Sequence, residues 1–370
     1  MNIRKSLSNI LGWSTKRKIV IFESDDWGSV RTRSIDDYNL MVKKGLGIAN
    51  SNFTRFDKLE SNYDLERLFD LLTSFKDING NHPVFTPMCL VANPDFDKIE
   101  DDNFDNYYYE PFTKTAKKYA GSENISNLWI KGYKSKLFVP GFHGREHLNS
   151  KRWMNLLKND NEGIRIAFNC QSIGASSFKG IKIPSYLAAF DIDDIADTIN
   201  LKEIVISGAS LFEELLGYKA EYFIASNSPE PKSLEVDLKN VGIKYLTRYK
   251  FQKYPIGNNK TQFEFNWLGK KNKNGQIIIT RNASFEPSSV NNLDELHNCF
   301  EDIESAFYFG KPAIISTHRV NYISGLLQKN GDNGLTQLKA LLTKIIQKWP
   351  NTEFMTSMEL ARLINESNEK

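Results

Sequence analysis

Short apolar runs alternate with helical patterns along most of the chain. The first run, KIVIFES at residues 18–24, is rich in β-branched and aromatic residues and predicts a buried strand. Further apolar runs of this kind lie at residues 83–91, 136–139, 220–225, 244–246, 277–280, 313–317 and 353–355. Helical periodicity separates most of them, at residues 195–216, 293–309, 335–349 and 357–364. This alternation predicts βαβ units around a parallel sheet, an α/β fold.

The number of predicted strands limits the architecture. Seven or eight strands follow one another without a low-complexity linker or an internal repeat, which favours a closed or nearly closed barrel. We therefore predict one domain over residues 1–370. Residues 95–135 interrupt the alternation with an acidic, tyrosine-rich stretch, DDNFDNYYYEPF, and then a predicted helix. We interpret them as an insertion carried on a loop.

Composition excludes several classes of protein. The three cysteines, Cys89, Cys170 and Cys299, are far apart and no C-x-x-C occurs, so neither a disulfide framework nor a thiolate zinc site is expected. Any metal must then be held by histidine and carboxylate. The charge is nearly balanced, with 48 basic and 45 acidic residues, and gives no electrostatic argument for nucleic acid. No apolar run is long enough to span a membrane.

The amino-terminal segment, residues 1–18, has no apolar core and no small-residue cleavage site of the kind found in secretory signals, so we expect a cytoplasmic protein. The segment places Ile3, Leu7, Ile10 and Leu11 at helical spacing among basic residues. This spacing predicts a short helix, either packed on the body of the protein or in weak contact with a membrane surface.

Two adjacent carboxylates follow the first predicted strand, in Glu23-Ser24-Asp25-Asp26-Trp27-Gly28. Such a pair repels unless a cation or a proton lies between its members. Asp-Asp also occurs at 36–37, 101–102 and 193–194, where solvated loops or helix caps explain it. Asp25 and Asp26 differ because they end a buried strand, where parallel α/β folds place their active sites.

Two histidines, His143 and His147, follow a later predicted strand and the turn Pro140-Gly141. On a helix or at a helix entrance, side chains at this spacing point the same way and can chelate one ion. Such a pair is uncommon in a chain with only five histidines. The spacing therefore favours a metal site.

A third polar position closes the strand predicted at 313–317, where His318 is placed to deliver a proton. The remaining histidines lack such a setting. His82 precedes a proline at the start of a strand and His297 lies in a helical pattern, so we interpret both as structural.

These three positions, in this order, resemble the motifs of the polysaccharide deacetylase family, carbohydrate esterase family 4. That family carries Thr-Phe-Asp-Asp-Gly after its first strand, His-Ser/Thr-x-x-His later, and Leu-x-Leu-x-His near its end. The counterparts here are Glu23 to Asp26, His143 to His147, and Ile314 to His318. The stretches GYKAEYF at 217–223 and EFMTSMEL at 353–360 also resemble the family, so the likeness spans nearly the whole chain.

The resemblance implies a distorted (β/α)7 barrel and a metal-dependent hydrolase that removes acetyl groups from an N- or O-acetylated carbohydrate. It implies Asp25 as the catalytic base and His318 as the general acid. It implies Asp26, His143 and His147 as ligands of one divalent metal ion, with zinc the first choice. One carboxylate and two imidazoles suit a hydrolytic zinc site, since they leave coordination positions open.

The chain also departs from the family pattern. The family's third motif has an arginine that orients the base, whereas residues 223–229 read FIASNSP here. Arg281, at the end of another predicted strand, is a candidate replacement. Gly144 stands where the family prefers Ser or Thr. We assign Trp27, Asn227 and Arg281 to substrate binding, with Trp27 expected to wall the sugar site.

Two other functions compete with this interpretation. Two histidines and one carboxylate also form the facial triad of non-haem iron oxygenases, although that chemistry usually occurs in a double-stranded β fold. The second alternative is a catalytically inactive carbohydrate-binding protein on a deacetylase barrel. The missing third-motif arginine favours it, and the presence of Asp25 and His318 argues against it.

Overall fold

The computed structural model describes residues 9–289 and 294–368. Its strands, in chain order, are β1 (Lys18–Trp27), β2 (Phe85–Leu90), β3 (Ala92–Pro94), β4 (Tyr109–Pro111), β5 (Gly141–Gly144), β6 (Ser177–Phe178), β7 (Ile181–Lys182), β8 (Tyr222–Phe223), β9 (Tyr245–Thr247), β10 (Phe251–Pro255), β11 (Thr261–Phe265), β12 (Ile277–Ile279), β13 (Ala283–Ser284), β14 (Ala313–His318) and β15 (Thr352–Phe354).

Helices connect most of these strands. They span Ile35–Lys43, Asn52–Arg55, Asn62–Thr73, Phe96–Asp101, Phe112–Ala116, Ile125–Lys134, Ser150–Lys158, Glu162–Asn169, Asp197–Leu216, Leu234–Asn240, Glu295–Tyr308, Gln328–Lys348 and Ser357–Asn368, with a 3-10 turn at Arg319–Asn321. Side-chain caps fix several of these starts. Ser61, for example, forms a capping box with Asp64 that satisfies free amide groups at the start of the helix Asn62–Thr73.

The main sheet is parallel and has the order β12-β9-β8-β5-β2-β1-β14-β13, with β15 paired to the start of β1. The two strands at the ends of this order are neighbours in the sequence. Three residues, 280–282, separate β12, which pairs with β9, from β13, which pairs with β14. One extended segment, residues 277–284, therefore joins both ends of the strand order. Counted as one strand, it completes a seven-stranded barrel, which confirms the predicted fold class.

Alternation along β1 divides the core into two parts. Val20 and Phe22 lie in the larger apolar cluster, which packs the strands against the surrounding helices. Ile19 and Ile21 lie in a smaller cluster with residues of five other strands of the main sheet and of the last helix. Because side chains of a strand alternate between its faces, Glu23 and Asp25 continue the face that carries Ile19 and Ile21. The interior of the barrel thus becomes polar towards the carboxyl ends of the strands.

Several predicted boundaries are wrong. The strand predicted at 136–139 lies instead at Gly141–Gly144. Residues 136–139 contribute only an isolated bridge, between Phe138 and Phe85, and no continuous strand. The helix predicted from residue 335 begins at Gln328. Residues 95–135 contain two short helices, a longer helix and β4, which pairs with β3. That they form an insertion stays a prediction.

The amino-terminal helix predicted over residues 1–18 falls mostly on residues 1–8, outside the described part of the chain. Residues 9–17 form turns, bends and irregular backbone, and both Ile10 and Leu11 are about half exposed. Contact with a membrane surface stays a prediction. In the part of the chain that the structure describes, no helix has the combination of length and apolarity needed to cross a bilayer.

Gly334 provides a stability test of the packing beneath the carboxyl end of β14. A Cβ atom at Gly334 would lie 1.6 Å from the carbonyl oxygen of Asn321. We expect Gly334→Ala to lower the free energy of unfolding by about 3 kcal/mol, because overpacking forces the backbone apart. Denaturant unfolding of Gly334→Ala and of Lys339→Ala, an exposed site on the same helix, measures this. Equal stability of the two variants would contradict the close approach.

Candidate metal and catalytic site

Polar side chains from five strand ends meet at one cavity of about 170 Å³. It is lined by Asp25 and Asp26 of β1, by His143 of β5 and His147 after it, and by His318 of β14. The segment after β8 contributes Ile224, Ala225, Asn227 and Ser228, and Tyr249 follows β9. The structure therefore brings together both predicted catalytic residues and all three predicted metal ligands at the carboxyl ends of the strands.

Backbone geometry explains how two adjacent aspartates reach one cavity. Strict alternation would place Asp25 and Asp26 on opposite faces of β1. Asp26, however, has φ of 76°, and the pairing of β1 with β2 shifts register between Ser24 and Trp27. A left-handed residue at such an irregularity redirects its own side chain. The bulge thus turns Asp26 towards the cavity that Asp25 already faces.

The two histidines converge without a helix. His143 lies within β5, while His147 lies in the irregular segment directly before the helix Ser150–Lys158, so of the two predicted settings the helix is wrong and His147 alone lies at a helix entrance. Gly144 between them has φ of 124°, which favours glycine. A Cβ there would also lie 3.0 Å from the Phe190 ring. The sharp turn at Gly144 lets a strand residue and a loop residue face the same point.

The described residues contain one group suited to hold a metal ion, formed by Asp26, His143 and His147, with ligand atoms within 4.8 Å of one another. All three side chains are buried. The His143 Nδ1 lies 2.9 Å from the Ile224 carbonyl oxygen. Since a carbonyl only accepts, Nδ1 donates to it, and Nε2, 3.5 Å from Asp26 Oδ1, is the nitrogen available to a metal ion.

The second histidine supports the same interpretation. His147 Nε2 lies 3.1 Å from Asp26 Oδ1. Burial and the Arg31 charge lower the pKa of His147 to about 4, so its imidazole is neutral and can ligate at pH 7. Burial alone would raise the pKa of Asp26, but its favourable contacts, that with the Arg31 charge above all, hold it well below 3.8. The donor set therefore fits a divalent ion.

Arg31 engages the other oxygen of Asp26. Its Nη2 donates to Asp26 Oδ2 at 2.9 Å, and its Nε lies 3.8 Å from Asp57 Oδ2. Arg319 then pairs with Asp57 at 3.0 Å and with Glu60 at 2.8 Å, and all these side chains are at least 96% buried. Acidic and basic side chains thus alternate from Asp26 into the core. The hydrogen bond from Arg31 fixes Oδ2 of Asp26 and leaves Oδ1 facing the two histidines.

Arg281 holds the Asp25 carboxylate from the break between β12 and β13. Its Nη1 and Nη2 donate to the two Asp25 oxygens at 2.7 and 2.6 Å, and its Nε donates to Glu23 at 2.6 Å. Burial would raise the pKa of Asp25, but the Arg281 charge outweighs it and lowers the pKa below 3.8. Asp25 is therefore ionised. The arginine that orients it lies between β12 and β13 and not in residues 223–229, the counterpart of the family's third motif.

His318 lies beside Asp25 in the register of β1 and β14, with its Nε2 3.9 Å from Asp25 Oδ2. Its Nδ1 donates to Glu286 at 2.7 Å, and Asn321 donates to the second oxygen of Glu286 at 2.7 Å. Burial opposes the charged ring, but Glu286 and then Asp25 outweigh it and raise the pKa of His318 to about 9. The imidazolium is thus present at neutral pH.

The two other residues assigned to substrate binding differ in position. Asn227 is exposed and lines the cavity. Trp27 is 1% exposed, donates to Ser24 and packs edge-on against Phe138 at 4.9 Å. It lies in the hydrophobic core and not in the cavity wall, because the bulge in β1 carries it to the helix side of the sheet.

Sequence reasoning did not single out Glu23, Arg31 or Glu286 as functional. Glu23 is fully buried and accepts hydrogen bonds from Tyr222 and Ser357 as well as from Arg281. A carboxylate inside an apolar strand was a signal for it. Glu286 follows β13 and so stands at a strand end like the other site residues. Arg31 gave no signal although it lies only five residues after Asp26, because the irregular backbone between them has no periodicity that predicts their contact.

Comparisons with known proteins give a likeness in fold. No family model matches the sequence, and no curated protein shows a significant match. Among solved structures, Puue allantoinase is similar with a TM-score of 0.50 and 10% identity, covering 95% of this chain and 91% of the other.

Two proteins described as polysaccharide deacetylases follow. One, from Pseudomonas aeruginosa PAO1, has a TM-score of 0.47 and 9% identity over 94% of this chain and 91% of the other. The second, from Mycobacterium smegmatis, has a TM-score of 0.45 and 10% identity over 97% and 94% of the two chains. At such an identity, the likeness to the allantoinase supports the barrel fold and nothing beyond it.

Metal analysis tests the three-ligand site. We expect about one divalent ion per wild-type chain and its loss from His147→Ala, because removing one of three protein ligands leaves too few donors for tight binding. Dialysis against zinc followed by elemental analysis measures the stoichiometry. His297→Ala, an exposed histidine on a surface helix, is the matched control. Equal metal content in the two variants would exclude the site.

Proposed function

We propose that this protein is a metal-dependent hydrolase that removes acetyl groups from an N- or O-acetylated carbohydrate. The observation that carries the proposal is the arrangement of Asp25. This ionised carboxylate lies beside a charged histidine and lines the same cavity as a buried three-ligand group. A base, an acid and a metal-type donor set are the groups that hydrolysis of an amide or ester needs.

Asp26, His143 and His147 would hold the ion, with zinc the first choice for this donor set. When bound, such an ion acts as a Lewis acid on an acyl oxygen and makes water easier to deprotonate. The protein residues around it then move the protons. Arg281 keeps Asp25 ionised and in one orientation, so that Asp25 accepts the proton of the attacking water.

His318 supplies the second proton. Once water has added to the acetyl carbon, the bond to the sugar nitrogen or oxygen breaks and the leaving group needs a proton. Glu286 holds Nδ1 of His318, so that the opposite nitrogen, Nε2, faces Asp25 and the cavity. The hydroxyl of the water becomes part of acetate, Asp25 takes the other proton of the water, and His318 protonates the amine or hydroxyl that leaves.

The cavity wall supports an acetyl substrate. Leu187, Ile224 and Ala225 form a small apolar surface beside the polar groups, which suits a methyl group. Asn227 and Ser228 offer hydrogen-bonding groups for sugar hydroxyls at the same wall. The parallel barrel gives no support to the oxygenase alternative, whose usual scaffold is a double-stranded β fold.

A catalytically inactive carbohydrate-binding protein remains the second candidate. Its main support was the missing third-motif arginine. The two hydrogen bonds from Arg281 to Asp25 weaken that argument, because a guanidinium is present on the base although it comes from another strand.

Substitution of the base separates the two functions. We expect Asp25→Asn to lower acetate release about 10³-fold, because an amide cannot accept the proton of water. Acetate release from acetylated oligosaccharides measures this, with Asp101→Asn, an exposed member of another Asp-Asp pair, as the control. If Asp25→Asn releases acetate at the wild-type rate, the catalytic assignment falls and the binding protein is favoured.

The pH profile tests the acid. His318 must be protonated to act, so we expect kcat/KM to fall on the alkaline side with a midpoint near its pKa of about 9. Glu286→Gln removes the main group that raises this pKa, so the alkaline midpoint should move to lower pH. Wild-type and variant profiles between pH 6 and about pH 10 provide the measurement. An unchanged midpoint would exclude His318 as the titrating acid.

A further inference from the structure

The hairpin formed by β10 and β11 turns apolar side chains towards solvent. Phe251 pairs with Phe265 and the exposed Lys253 pairs with Phe263, and these four residues share one face because they occupy alternate positions of paired strands. Phe251, Phe263 and Phe265 are 69%, 64% and 40% exposed. Antiparallel strands with one solvated face usually turn their apolar residues inwards. The pattern of this hairpin is therefore inverted.

Polar contacts hold the opposite face of the hairpin against the body of the protein. Gln252 donates to the Ser228 carbonyl oxygen at 2.7 Å, and the buried Tyr254 donates to Glu235 at 3.4 Å. The three outward phenylalanine rings take no part in these contacts, so the attachment of the hairpin does not account for them. Contiguous exposed apolar surface of this kind marks an interaction site.

Exposed rings continue on both sides of the paired strands. The ring centroid of Phe265 lies 5.1 Å from that of Phe251 and 6.2 Å from that of Trp267, which is 37% exposed. Tyr249, before β10, is 59% exposed and lines the candidate catalytic cavity. This surface therefore lies beside the candidate active site. We call it the hairpin surface, and it comprises Tyr249, Phe251, Lys253, Phe263, Phe265 and Trp267.

The segment that carries the hairpin surface is strongly basic. Residues 248–273 contain seven basic residues and one acidic residue, whereas the whole chain has a net charge of only +3. The acidic residue, Glu264, belongs to the inward face of the hairpin and pairs with two neighbouring lysines. Lys253 and Lys260 are exposed and form no ion pair with any residue that the structure describes. The hairpin therefore presents uncompensated positive charge among its exposed rings.

Two other occupants fit the hairpin surface less well than an anionic lipid does. Single-stranded nucleic acid is bound by rings that line a charged groove, whereas Phe263, Phe265 and Trp267 lie outside the neighbouring cleft of about 900 Å³. A second copy of the chain would place this surface against itself and bring the two Lys253 side chains together, with no acidic residue on the surface to compensate them. A bilayer with anionic headgroups needs neither a groove nor acidic partners.

We propose that the hairpin surface docks on a lipid bilayer that contains anionic headgroups. Its rings enter the interface at the level of the headgroups, where aromatic side chains are favoured. Lys253 and Lys260 attract the anionic lipids, and the apolar and electrostatic contributions add. Because Tyr249 lines the candidate cavity, docking holds the mouth of that cavity close to the lipid. The docking itself does not rest on the proposed function.

Cosedimentation of the full chain with vesicles provides the test. The probes are vesicles of phosphatidylcholine alone and vesicles of phosphatidylcholine with phosphatidylglycerol. We expect the wild type to bind the vesicles with phosphatidylglycerol at least about fivefold more tightly, because each lysine near the surface gains from the anionic headgroups. The difference should shrink at high salt, which screens this attraction.

Substitution of two rings tests the apolar part of the surface. We expect the double variant Phe251→Ser and Phe263→Ser to bind the vesicles at least about tenfold more weakly, because both rings lose their place in the interface. Phe251→Trp with Phe263→Trp should retain binding, which shows that the loss is not one of folding. The matched control is Tyr63→Ser with Tyr133→Ser, two exposed tyrosines on other helices, and it should bind as the wild type does.

Substitution of two lysines tests the charged part. Lys253→Gln with Lys260→Gln should weaken binding to the anionic vesicles at least about tenfold and leave binding to phosphatidylcholine nearly unchanged. Lys339→Gln with Lys344→Gln, two exposed lysines on the helix Gln328–Lys348, removes the same net charge and should have little effect.

Several results overturn the proposal. They are absence of vesicle binding, equal affinity for the two kinds of vesicle, and binding that the hairpin variants retain, which assigns the contact to another segment of the chain. Tighter binding to a single-stranded oligothymidylate than to vesicles, lost in Phe251→Ser with Phe263→Ser, assigns the surface to nucleic acid. A dimer in light scattering that the same variant abolishes, without vesicle binding, assigns it to a second copy of the chain.

The vesicle assay involves no turnover, so its outcome is separate from that of the proposed function. Vesicle binding without acetate release from any acetylated saccharide supports the docking and contradicts the hydrolase. Acetate release by a protein that binds neither kind of vesicle supports the hydrolase and overturns the docking.

Discussion

The pairing of Arg281 with Glu23 and Asp25 is the interaction on which the site depends. Two carboxylates on one face of β1, both buried inside a barrel, would repel each other and would be costly to ionise. One guanidinium compensates both, and hydroxyl groups of Tyr222 and Ser357 satisfy Glu23 further. Arg281 can enter because the strand that closes the barrel is interrupted at residues 280–282. The interruption of this strand thus allows the contact that keeps Asp25 ionised.

The alternation of strands and helices was predictable from the sequence, because buried strands of a parallel sheet are continuous apolar runs. The catalytic and metal-binding candidates were found for the same reason: polar residues at the ends of such runs meet at one edge. Asp25, Asp26, His143, His147 and His318 all line one cavity. Their detailed roles, by contrast, follow from the resemblance to a family.

What could not be predicted depends on backbone irregularities and long-range contacts. The turn of Asp26 towards the cavity needs a left-handed residue at a bulge, and no local pattern indicates it. Trp27 was expected at the sugar site, yet the same bulge leaves it in the core. Arg31 reaches Asp26 through the irregular segment that follows β1, and Glu286 reaches His318 through the pairing of β13 with β14. Charged partners of this kind leave no periodic trace in the sequence.

Gly144 shows how backbone conformation and packing can restrict which residue type occupies a motif position. Its φ of 124° disfavours any side chain, and a Cβ would lie 3.0 Å from the Phe190 ring, closer than ordinary contact. A hydroxyl residue at this position would therefore require a different local backbone and a displacement of the Phe190 ring. A sequence pattern that demands serine or threonine between the two histidines would miss this chain, although both histidines are present.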